Sequence, residues 1–67
     1  MSVAKVTEIT STSAKSFDDA ITSGIKRANK TLRNVKGAWV SNMKVECDKG
    51  KITEYRVALK ITFVLSD

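Results

Sequence analysis

A chain of 67 residues with one cysteine and no histidine has neither a covalent nor a metallic staple available to it. An internal disulfide needs a second thiol, and Cys47 has none. A structural zinc site needs three or four nitrogen or sulfur ligands, which this composition does not supply. Chains this short bury only about 60% of the surface their unfolded form exposes. Ordering them costs about 1.5 kcal/mol per residue, which apolar burial barely matches at this size. The remaining route to a stable fold is association, so the chain is expected to be an oligomer. The same absences remove most pairings of a nucleophile with a base and argue against hydrolytic or acyl-transfer chemistry.

With 42% hydrophobic and 28% charged residues, the chain reads as a folded, soluble domain rather than a disordered one. No apolar run approaches the roughly 18 residues of a transmembrane helix. Met1-Ser2-Val3-Ala4-Lys5 carries no apolar core of a signal peptide, so a cytoplasmic location and no membrane partner are the expectation. A net charge of +5 suits phosphate-bearing partners, although lysines also form the ordinary solvated face of small domains.

Val3–Thr10 is rich in β-branched residues and predicts a strand. Ser16 stands three residues before Asp19, a capping-box spacing with Asp in place of Glu. From there Phe17, Ala20, Ile21, Gly24, Ile25, Ala28, Leu32 and Val35 recur at three- and four-residue steps, which predicts an amphipathic helix over Phe17–Asn34. Beyond Gly37 the period becomes two. In Ile52–Leu65, Tyr55, Val57, Leu59, Ile61, Phe63 and Leu65 alternate with Glu54, Arg56, Ala58, Lys60, Thr62 and Val64. Asp48-Lys49-Gly50-Lys51 supplies a hairpin turn back to a strand over Ala38–Cys47.

That second strand does not keep one parity. Ala38 and Val40 are apolar on even positions, Met43, Val45 and Cys47 on odd ones. A flip of this kind predicts a bulge or bend near Ser41-Asn42. With Ala38 and Val40 toward the helix, Trp39 points to the other side of the sheet, as does Arg56. The expected architecture is α+β, in the order strand, helix, strand, strand: one helix on a three-stranded antiparallel sheet. Its other face carries Trp39, Arg56, Ala58, Lys60 and Val64 with nothing from the chain to cover them, which marks a contact or ligand surface. Met43 and Cys47 are read as apolar filling.

Val6-Thr7-Glu8-Ile9-Thr10-Ser11-Thr12-Ser13, Ser16-Phe17-Asp18-Asp19-Ala20, Lys30-Thr31-Leu32-Arg33-Asn34-Val35 and Tyr55-Arg56-Val57-Ala58-Leu59-Lys60-Ile61-Thr62-Phe63 resemble the dodecins. The likeness runs over almost the whole chain and implies a single dodecin-like domain over 1–67. It implies a β-α-β-β protomer whose sheet wraps around its helix, and a hollow homododecamer. It also implies non-catalytic binding of a flavin, riboflavin or FMN, for storage or sequestration. Flavin-binding members stack the ring on a tryptophan early in the second strand and hold its edge with a glutamine in the third. Aligned on Asn34-Val35 and Tyr55-x-Val57, those positions fall at Gly37 and Arg56. Trp39 lies two residues on, about 7 Å along the same strand face. Lys44 sits where some members carry an arginine near the flavin phosphate or a three-fold channel. The candidate ligand residues are therefore Trp39, Arg56, Gly37 and Lys44.

Arg56 donates but cannot accept, so it does not match an imide edge as a glutamine does. Trp39 and Arg56 can equally serve as interface anchor and inter-subunit ion pair. A dodecin-like shell that binds an anionic metabolite such as coenzyme A, or is purely structural, is the alternative reading. A lone tryptophan without a second stacking residue on that face argues against single-stranded nucleic acid. Glu46 and Asp48 beside the turn are too few for a cation site. The expected solution species is a high-order homo-oligomer, of twelve copies by the resemblance. Light scattering at micromolar concentration checks it, and a folded monomer or dimer there contradicts it.

Overall fold

A computed structural model describes residues 3–65. Strand β1 (Ala4–Ser13), helix α1 (Phe17–Thr31), strand β2 (Val35–Asp48) and strand β3 (Lys51–Val64) follow in that order. The three strands form one antiparallel sheet in the order β1-β3-β2, with α1 on one face. The last strand is thus the central one. Its inward residues Val57, Leu59 and Ile61 are completely buried. They lie against Ala20 and Ala28 of the helix, with Ile9, Phe17, Ile21 and Ile25 packed around them. Phe17 meets Tyr55 edge to face, ring centroids 5.1 Å apart, and seats the first helical turn on β3.

Strand β1 runs three residues past the expected Thr10, because Ser11, Thr12 and Ser13 pair with Val57, Arg56 and Tyr55. Buried Ser13 then ends it. Its hydroxyl donates to Asp19 Oδ2 at 2.6 Å and accepts from the Lys15 backbone N–H at 2.9 Å. Ser16 caps the helix, its Oγ accepting from the Asp19 N–H at 3.0 Å. The Asp19 carboxylate serves Ser13 instead of returning to Ser16, so only half of the capping box forms.

The helix ends at Thr31 rather than Asn34, with Leu32 as its C-cap. Asn34 adopts φ 59°, a left-handed conformation that asparagine tolerates, and turns the chain into β2. Its carbonyl accepts from the Val64 N–H at 3.1 Å. Strand β2 accordingly begins at Val35, not Ala38. At the far end Lys49 and Gly50 both have positive φ, 54° and 78°, as a two-residue hairpin of the primed type requires.

Between Val40 and Asn42 the β2–β3 register shifts, which places the expected bulge at Ser41. Further shifts occur at Lys36 and between Glu46 and Cys47. The helix lies over β1 and β3 and reaches only part of β2, where Val35 packs against the core, leaving most of the same side of β2 open. Met43, expected in the core, is therefore 50% exposed, and Val40 and Cys47 are exposed as well. The protomer is flat, 52 × 19 × 13 Å, and presents 5139 Å² to solvent. A compact monomer of 7.4 kDa would present about 4,200 Å². The excess is about the area one partner contributes to an ordinary interface.

Gly24 sits where α1 comes closest to the sheet. A Cβ there would stand 2.9 Å from Ser11 Cβ and 3.1 Å from Leu59 Cδ1, contacts the strand backbone must move to relieve. Gly24→Ala gains about 1 kcal/mol of helix propensity and loses about 1–3 kcal/mol to overpacking. Net destabilisation is expected, read as a lower urea midpoint at fixed protein concentration. A raised midpoint would show that the helix can lift without cost.

Candidate functional site

Paired residues on an antiparallel ladder point to the same face, so the register assigns the uncovered side directly. Along β2 and β3 its rungs are Gly37/Thr62, Trp39/Lys60, Asn42/Ala58, Lys44/Arg56 and Glu46/Glu54. Glu8, Thr10 and Thr12 of β1 flank Lys60, Ala58 and Arg56 on their other side. The bulge at Ser41 is what puts Trp39 and Asn42 on one face although their numbers differ in parity. Ser41 Oγ donates to the Ala58 carbonyl at 3.1 Å and lies 3.4 Å from Glu8 Oε2, pinning the bulge across the central strand.

All four residues singled out from the sequence therefore share this face, but in two separate hollows. Trp39, 78% exposed, borders a shallow hollow with Lys36, Gly37, Ala38 and Thr62. Apart from Gly37 itself and its two chain neighbours, no described residue comes within 4 Å of where a Gly37 Cβ would stand, so the space beside the indole is open. Lys44 and Arg56 border a second hollow of about 160 Å³ with Thr10, Asn42, Met43 and Ala58. Lys60, the rung partner of Trp39, is four residues from Arg56 along β3. That is about 13 Å of strand, so the sheet does not bring Trp39 and Arg56 to one point.

The charges of the second hollow are arranged by strand. Lys44 Nζ lies 3.3 Å from Glu46 Oε1 on β2, and Arg56 Nη2 lies 3.5 Å from Glu54 Oε2 on β3. Both pairs are partly exposed and worth little to stability. Arg56 Nε is different: it is buried, and its N–H has no acceptor among the described residues. Sequence reading missed this donor, whose burial no alternation reports, and the Ser41 tie, which depends on the local bulge. A larger hollow, about 470 Å³, lies elsewhere, between α1 and the β1 edge beside Ile9, Gly24, Arg27 and Leu32. It contains none of the four candidate residues. Among the described residues no three of His, Cys, Asp or Glu gather closely enough to hold a metal ion. No helix there is long and apolar enough to cross a membrane.

No curated protein matches the chain. Solved structures do. Dodecin from Streptomyces davaonensis superposes with a TM-score of 0.93 at 33% identity, over 98% of this chain and 97% of that one. A tryptophan-to-phenylalanine variant of the Thermus thermophilus dodecin gives a TM-score of 0.93 at 30% identity, over the full length of both. The calcium dodecin of Mycobacterium tuberculosis, described with a novel calcium-binding site, gives 0.81 at 31% identity over 96% of this chain and 91% of that one. The family model for Dodecin matches residues 3–66. With the β-α-β-β order, the three-stranded sheet and the single helix, this match shows that the chain belongs to the dodecin family.

Proposed function

We propose that this protein is a non-catalytic flavin carrier, holding riboflavin or FMN on the uncovered sheet face within a cytoplasmic homododecamer that stores or sequesters it. Trp39 carries the reading. A large aromatic side chain left 78% exposed on a flat sheet, beside a glycine that keeps the adjacent space open, is a platform for a planar ring. The residues present suit a flavin: the indole supplies a stacking face, and Thr62 and Lys36 supply polar groups at the rim of the same hollow. A bound flavin would bring its own light absorption and redox capacity. The protein's part is to bind the ring and limit its access to solvent. The flat shape and surplus surface of the protomer support assembly, and family membership supports twelve copies.

Trp39 is the only tryptophan, so its emission reports on this site alone. Titrating riboflavin should quench it, and flavin emission should fall in parallel. Trp39→Ala should weaken binding about tenfold, the loss of one aromatic stacking contact and part of its buried area. Gly37→Trp, entering open space, should tighten it. Absence of quenching in the wild type would refute the flavin reading. Unchanged affinity in Trp39→Ala, with assembly weakened instead, would make Trp39 an interface anchor.

A further inference from the structure

The net charge of +5 is not spread over the chain. Between Asp19 and Glu46 stand six cations and no acid, while the remainder holds six cations and seven acids. Of the first six, Lys44 is paired with Glu46 and Lys36 borders the Trp39 hollow. Lys26, Arg27, Lys30 and Arg33 remain, all exposed and without a carboxylate partner among the described residues. Lys30 neighbours both Lys26 and Arg27 on the surface of α1, at four and three residues, and Arg33 follows just past the last turn. The helix dipole favours Lys30 in that turn, but Lys26 and Lys30 repel each other. The whole surplus charge of the protomer therefore lies along one flank of α1 and its exit. We infer that this flank binds the phosphate backbone of double-stranded nucleic acid, without reading its sequence and independently of any flavin.

Single anions gain little from exposed lysines. A duplex carries about one charge per 1.7 Å of its axis and releases condensed counterions when a row of cations meets it. Around the cations, exposed Thr22, Ser23 and Asn29 are short polar side chains of the kind that donate to phosphate oxygens. An anionic membrane fits worse. A helix lying on lipid must sink an apolar face into it. That face of α1, with Ile21 and Ile25, is packed against the sheet, and none of the exposed large hydrophobic residues belongs to the helix. The helix also covers the side of the sheet opposite Trp39, so duplex and flavin do not compete for one surface. In the proposed dodecamer each protomer contributes one such flank, and contacts that are weak singly reinforce one another.

The test follows binding of a fluorescently labelled, mixed-sequence DNA duplex to the assembled protein by anisotropy across a sodium chloride series. Four contacts give a log–log slope of about −3.6, steeper where one duplex touches several protomers. Duplexes of different base composition should bind alike. Lys26→Gln/Lys30→Gln should flatten the slope by about 2 for each protomer in contact. Arg27→Gln/Arg33→Gln should do the same and serves as the second variant if the first does not assemble. Lys49→Gln/Lys51→Gln removes equal charge at the far end of the β2–β3 ladder and should leave the slope unchanged. Riboflavin should quench Trp39 equally with and without duplex. No binding at low salt, or equal flattening by the hairpin variant, would overturn the proposal and make the flank an ordinary solvated surface. Tighter binding to phosphatidylserine vesicles than to duplex would overturn it in favour of a membrane. Quenching abolished by duplex would move the contact to the sheet face and overturn it as well. Duplex binding with the expected slope in a protein that binds no riboflavin would support this inference and refute the flavin reading.

Discussion

Three side chains of the final strand, Val57, Leu59 and Ile61, are the only large ones among the described residues wholly removed from water. Each contributes about 1.5–3 kcal/mol by its burial. Both neighbouring strands hydrogen-bond to the strand that carries them, and the helix rests on it. With no disulfide available, this one row of aliphatic residues organises the protomer. The closeness it demands explains Gly24, where helix and sheet approach too tightly for any side chain. What the row cannot do is cover β2, which extends beyond the reach of a 15-residue helix.

The same economy shapes the outer face. Because β3 keeps strict alternation, Arg56, Ala58, Lys60 and Thr62 lie in line opposite the core row. Strand β2 achieves its match to them only by slipping at Lys36 and Ser41. Each slip re-aims the side chains beyond it, and the second brings Asn42 and Lys44 to the side that already holds Trp39. Ladder geometry, rather than any loop, therefore sets the distance between the aromatic hollow and the cationic one. A face built on paired strands is stiffer than one built on loops.

Periodicity made most of this legible beforehand. The period-two run in β3 and the three-four pattern of α1 are strong because burial imposes them, and the broken parity of β2 announced its bulge. The ends were less legible, since they depend on single residues. Asn34 stops the helix through a left-handed backbone, and Ser13 prolongs β1 because a ladder partner is present to be met. Met43 and Cys47 misled for a related reason. Their parity is that of the core face, but the helix does not extend over them, and a pattern carries no measure of coverage. The separation of Trp39 from Arg56 required the register, which alternation alone does not count.

The strand order also bears on how the chain comes to be folded. Strand β1, made first, has β3, made last, as its sheet neighbour, with Ala4 paired to Val64. During synthesis the β1 backbone therefore waits unpaired while the helix and the β2–β3 hairpin are produced. Contacts between the two ends of a chain close slowly, because loop entropy must be overcome before they form. The threonines and serines spread through β1, together with Lys5 and Glu8, keep that waiting segment soluble when it has no partner. A nascent protomer is thus committed only when its final strand is complete.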